Sequence, residues 1–285
     1  MDIFQWKISK PEVIASMIKT LEALTSHSDT ALFKVRPKCI YILITDSESK
    51  CCMEARFITS KQELKCSNDP NFTFSCRIML DSLVNELKKI DKSKNTCTLF
   101  SSMAHRHTLQ LKEQNNINNI LHHYVIESAE HRSRVFHIIS TRSFKKSDYA
   151  HIKYPVAEFN KTITAQCIAS GVNGKIGIIT VVPNGNECDI QFENGNHGGL
   201  SWYSRIHTFK GSEDVPCEKL PENKIVSYYL PTYLKRSQNI MSNFSDYVSL
   251  FISKDGLMIQ TSVKHNHCVI VFSASVEDID EDSYV

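Results

Sequence analysis

The feature that most constrains this chain is an internal repeat. The stretch Ile225 to Ala274 reads as a short strand, a helix from Leu230 to about Asn243, and three strands at 247–252, 256–263 and 268–274. Tight turns at Lys254-Asp255-Gly256 and around His265-Asn266 join the strands. Leu230, Tyr233, Leu234, Ser237, Ile240 and Met241 recur at helical spacing, and Pro231 falls in the first turn, where its missing N–H costs nothing. Thr232, Lys235 and Asn239 lie opposite that stripe at 100° per residue, with Arg236 on its flank, so the second face is polar and basic. The strands alternate apolar and polar, as in Val248, Leu250 and Ile252, which predicts that each buries one side.

The same helix-plus-meander pattern occurs three more times. Residues 11–58 carry the stripe Ile14, Met17, Ile18, Leu21 and Leu24, followed by strands at 31–35, 39–45 and 51–58. Residues 78–111 carry Leu80, Leu83, Val84, Leu87 and Ile90, with strands at 96–101 and 107–112. Residues 155–193 carry Val156, Phe159, Ile163 and Cys167, with strands near 176–182 and 187–193. Further strands are expected at 72–78, 118–126 and 200–208. Four copies in 285 residues predict an α+β chain of two similar domains, 1–127 and 149–276, each with helices on one side of antiparallel sheets. Residues 128–148 form an interdomain connector and 277–285 an acidic tail.

Aligning the helices on Ile14, Leu80, Val156 and Leu230 puts Lys19, Asn85, Lys161 and Lys235 at one position, near the centre of each polar face. Lys88 and Lys89 follow on the second helix. Any one of these is accounted for as an ordinary surface lysine; the shared register across four helices points to a common cationic face.

In this order and pattern the chain resembles the PCNA-like DNA clamps. The likeness is carried by the helix with Leu21-Glu22-Ala23-Leu24, the strand ending in Thr45-Asp46-Ser47, the Glu158-Phe159 helix, the Tyr233-Leu234 helix and the acidic tail. In that family each subunit has two similar domains whose helices line a hole, and three subunits close around duplex DNA. The resemblance implies a DNA-clamp fold with Lys19, Lys88, Lys89, Lys161, Lys235 and Arg236 as sequence-independent DNA contacts. Asn85, Thr164 and Asn239 stand where replicative clamps tend to carry further basic residues, so the lining is thinner here. It implies a partner-peptide pocket at Phe136 and Ile138 of the connector with Phe272 and Ala274 of the last strand, and subunit contacts through edge strands bearing Leu121, Tyr124, Ile190 and Phe192.

Cys76-Arg77-Ile78, Leu109-Gln110-Leu111 followed by Ile120-Leu121-His122-His123-Tyr124, and Arg134-Val135-Phe136 look more like a subunit of the heterotrimeric DNA-damage checkpoint clamp. Against that likeness, the long phosphorylated tail of that subunit is expected to be missing or reduced to the acidic end. A replicative sliding clamp, cellular or viral and homotrimeric, is the alternative. Either implies double-stranded DNA, two other clamp subunits, a clamp loader, and DNA polymerase or repair and checkpoint proteins as partners, in the nucleus or a viral replication compartment. A third reading, from another class, is a scaffold that binds peptides and no DNA.

Composition narrows the rest. A net charge of +2 from 33 basic and 31 acidic residues means that DNA contact must come from segregated charge. No run approaches the roughly 18 apolar residues of a membrane span, and no signal peptide opens the chain, so a soluble intracellular protein without membrane partners is expected. The ten cysteines are scattered without a CxxC pair, which predicts buried reduced thiols, and the three Asn-x-Ser/Thr matches are then chance. Gly171-x-x-Gly174-x-x-Gly177 lacks the ending of a phosphate-binding loop and reads as a turn. His105-x-His107 and His265-x-His267 could each put two ligands on one strand face, but no companion pair stands at metal spacing. Without a recognisable nucleophile, carboxylate pair or cofactor motif, no enzymatic activity, metal or cofactor is expected.

Overall fold

The computed structural model describes residues 2–45, 51–90, 96–115, 120–129, 148–170, 176–185, 187–195, 204–209, 217–229, 231–242, 245–263 and 267–274. It is a mixed α+β structure, and every strand pairing with a described register is antiparallel. Two compact units are present: 1–49 with 53–137 and 262–269, and 50–52 with 138–261 and 270–285. Most of the expected connector, 130–147, and the acidic tail lie outside the described residues, as do Gly171, Asn173 and Gly174.

The first half of the chain runs β1 (Asp2–Ile8), α1 (Pro11–Thr25), β2 (Thr30–Arg36), β3 (Cys39–Thr45), β4 (Cys51–Ile58), β5 (Leu64–Lys65), β6 (Phe74–Met79), α2 (Leu80–Lys89), β7 (Thr96–Ser102), β8 (Gln110–Gln114) and β9 (Ile120–Val125). The second runs β10 (Ala150–Pro155), α3 (Val156–Ser170), β11 (Ile176–Asn184), β12 (Glu187–Gly195), β13 (Ser204–Phe209), β14 (Cys217–Lys219), β15 (Ile225–Tyr229), α4 (Pro231–Ser242), β16 (Tyr247–Ser253), β17 (Gly256–Val263) and β18 (His267–Ala274). The four helices expected from the repeat are present with strands after each, and each is preceded by a strand, β1, β6, β10 or β15; β1 and β10 are not among the expected strands, and one short extra strand, β5 or β14, stands in each half.

The sheets repeat as well. Strands of the first unit order as β5-β1-β7-β8-β9 and β4-β3-β2-β6. Raising every strand number by nine carries β5-β1-β7-β8 onto β14-β10-β16-β17, and β4-β3-β2-β6 onto β13-β12-β11-β15, both present in the second unit.

Cores follow from the alternation. Phe4 and Trp6 of β1 meet Phe33, Phe74 and Phe57 from the other sheet of the first unit, with Phe4 and Phe74 centroids 4.9 Å apart and Trp6 and Phe57 5.5 Å apart. In the second unit Tyr154 packs edge-on to Phe159 and against Phe192, each at 6.1 Å. Helix α1 packs on α2 and α3 on α4. Ile14, Met17, Leu21, Leu24, Leu80, Leu83 and Leu87 are fully buried, and each such side chain contributes about 1.5–3 kcal/mol by leaving water.

Two expectations about strands are corrected. The strand expected at 107–112 begins only at Gln110, because Met103–His105 forms a 3-10 turn closed by the Ser101 hydroxyl on the His105 carbonyl at 3.0 Å. The stretch 187–193 is not an edge. Strand β12 lies between β11 and β13, and β13 is the outer strand of that sheet.

Candidate nucleic-acid interface

Five residues is 500° along a helix, which leaves the side chain 140° from its anchor and away from the core. Lys19, Asn85, Lys161 and Lys235 occupy that position in α1 to α4, and all four are exposed. The polar faces expected from the repeat are thus presented to solvent, and Lys88 and Lys89 are exposed beside them.

The cations are not equivalent. Lys88 is bound to Glu22, Lys89 to Glu86 and Lys161 to Glu158, each at 2.7 Å. The first pair joins α2 to α1; the other two are i, i+3 pairs within a helix. Lys89 also lies 5.4 Å from the ring centroid of Tyr124. Lys19 and Lys235 have no ion pair among the described residues. Lys235 approaches the Cys167 thiol electrostatically, opposing the rise that burial causes there. Helix α4 places Arg236 next to Lys235, but its side chain is outside the description.

The contact between helices recurs at one register in both units. Eight residues beyond the anchors stand Glu22, Lys88, Thr164 and Gln238. In the first unit Glu22 and Lys88 close the seam as an ion pair. In the second, the Gln238 amide donates to the Thr164 hydroxyl at 3.2 Å and to the Asn160 carbonyl at 2.9 Å. The same geometric task is done once by opposite charges and once by neutral hydrogen bonding.

The edge-strand residues divide. Tyr124 and Leu121 lie on β9, which ends its sheet, although the Leu121 side chain is outside the description. Ile120 and Val125 on the same strand are 59% and 63% exposed, far from the usual state of large apolar residues. Ile190 and Phe192 are fully buried on the interior strand β12, so they are core residues and not edge contacts. Of the expected peptide pocket, Phe136 and Ile138 fall outside the described residues, and Phe272 and Ala274 stand on β18 with their side chains undescribed.

Other expected ligand sets do not assemble. His105 belongs to the 3-10 helix and His107 to the turn that follows it, so the two do not share a strand face. Residues 264–266 lie outside the described residues, and the His267 side chain is undescribed, which leaves the second histidine pair without geometry. Of the cysteines whose side chains are described, Cys51, Cys52, Cys76, Cys97 and Cys188 are buried and Cys39, Cys66, Cys167 and Cys268 half-buried. Burial pushes Cys76 and Cys97 up to about 12, so these thiols are neutral and poorly nucleophilic at physiological pH.

Residue patterns missed one polar assembly. Thr162 and Gln166 of α3 are completely buried, and the Tyr229 hydroxyl donates to Gln166 while the Gln166 amide donates to the Glu193 carbonyl at 3.1 Å. It ties α3 to β12 and β15, and its signal in sequence is only that two polar residues continue an apolar stripe. No protein-family model matches the chain, and no functionally characterised protein matches it in sequence.

Proposed function

We propose that this protein is a subunit of a DNA clamp, most like a subunit of the heterotrimeric DNA-damage checkpoint clamp, which encircles duplex DNA and recruits partner proteins. The observation that carries the reading is the repeated helix register: four helices in two halves of the same topology expose Lys19, Asn85, Lys161 and Lys235 at one equivalent position. Such faces meet a regular polyanion without reading its bases. Among the described residues β9 and β13 end their sheets, which supports assembly with further subunits, because an unpaired strand edge is a template for another chain. Pairing of three of the five described helix-face lysines with carboxylates favours a device held on DNA by topology and loaded by a clamp loader, with the grip itself weak. Enzymatic chemistry, a metal and a cofactor have no part in this reading.

The test combines charge and topology. Reversing Lys19, Lys161 and Lys235 together to Glu is expected to reduce retention on a closed circular duplex after loading, with the circular-dichroism spectrum and melting temperature unchanged. Wild-type protein is expected to leave when the circle is linearised. Unchanged retention of the triple variant would remove the helix faces from the reading. A homotrimer of the isolated chain in solution would move the assignment to the replicative sliding clamp.

A further inference from the structure

Resting on the clamp reading, we infer that Glu22, Glu86 and Glu158 are attenuators of the helix faces: by pairing with Lys88, Lys89 and Lys161 they set how strongly the surface holds phosphate. Each carboxylate reaches its lysine at 2.7 Å, and each lysine side chain is at least half exposed, at 50%, 56% and 65%. A lysine in this state remains available to a phosphate, but its Coulombic gain is reduced by the carboxylate that stays behind. Exposed pairs of this kind are individually weak, so exchange of partners is rapid and reversible. The helix surface of the first unit therefore presents Lys19 beside the paired Lys88 and Lys89, and that of the second presents Lys235 beside the paired Lys161.

The seam between the helices indicates that the attenuation belongs to the architecture. At the register where Glu22 takes up Lys88 in the first unit, the second unit carries Thr164 and Gln238, which close the seam without any net cation. Both solutions leave the two-helix surface with no free positive charge at that point. The consequence for a protein that must travel along DNA is a shallow electrostatic well: enough attraction to align the duplex, too little to arrest movement.

The experiment uses the full chain at low salt with a short blunt duplex, read by fluorescence anisotropy over a salt series. The variant Glu22→Gln/Glu86→Gln/Glu158→Gln is compared with wild type and with Asp69→Asn/Glu222→Gln/Asp255→Asn, which neutralises three exposed carboxylates outside the helices. The expected result is tighter binding by the first variant and a log K against log salt slope steeper by up to about 3, near 0.9 per released cation. The control variant is expected to stay close to wild type. An unchanged slope in the first variant, with wild-type binding still dependent on Lys19 and Lys235, overturns the attenuation and leaves the clamp reading standing. An equal shift in the control overturns it too, because the effect is then overall charge. If no form binds the duplex at low salt, the attenuation is overturned, while the clamp reading, which rests on topology after loading, is decided separately by retention on the closed circle.

Discussion

At the scale of single residues, Gly177 leaves no room for a side chain. An added Cβ there would lie 2.7 Å from Cζ of Tyr229 and 2.9 Å from Cγ of Pro231. Tyr229 cannot retreat, since it is fully buried and its hydroxyl is committed to Gln166. Gly177→Ala is therefore expected to cost about 1–3 kcal/mol, the usual range for forcing a methyl into a packed site. A urea titration of the variant against wild type checks this; a midpoint shift within error would mean that β11 and β15 adjust freely. The sequence reading placed this glycine in a turn motif, whereas it is a strand residue chosen for close approach of a neighbouring ring. Apolar stripes were legible because each residue declares its preference alone. Gln166 and Thr162 were not, because their burial depends on partners such as Glu193, 27 residues away from Gln166, and Tyr229, 63 residues away.

At the scale of elements, β6 and β7 carry a measurable pH signature. Desolvation holds the thiols of Cys76 and Cys97 up to about 12, against an ordinary value of 9.0. Folded-state values above the unfolded ones mean that the protonated thiols' contribution is fully present below about pH 9 and is lost as pH rises towards 12. Urea midpoints under reducing conditions are expected to fall across that window. Cys97→Ala should flatten the fall, although the variant starts from a lower stability; an equally steep decline would assign the alkaline loss to other groups. Helices and most strands were legible at this scale, since periods of 3.6 and 2 are written into the side chains. The neighbours of a strand were not. Alternation in 187–193 reports that one face is buried, and it is silent on whether a further strand such as β13, drawn from a Gly- and Asn-rich stretch, covers the edge.

At the scale of the whole molecule, the clamp reading stands or falls on assembly, and β9 offers a direct test. The Ile126 N–H donates to the Leu109 carbonyl at 2.9 Å, on the side of β8. Backbone direction alternates along a strand, so the N–H groups of His123 and Val125 point away from β8, towards the open edge. Val125 is largely exposed, which makes its side chain dispensable to the core. Val125→Pro removes one outward donor and leaves the inward ladder intact, a placement that edge strands tolerate. The folded chain should survive with unchanged circular dichroism, while association through this edge, with its own copies or with partner subunits co-purified from the native source, should be lost in light scattering. Assembly that persists in this variant with wild-type mass would move the subunit contacts off β9. A wild-type chain that stays monomeric alone and enters a larger complex only with partners would favour the heterotrimeric form. A self-associating wild type, disrupted by this one proline, would favour the replicative ring, because a single kind of subunit must then supply both sides of every junction.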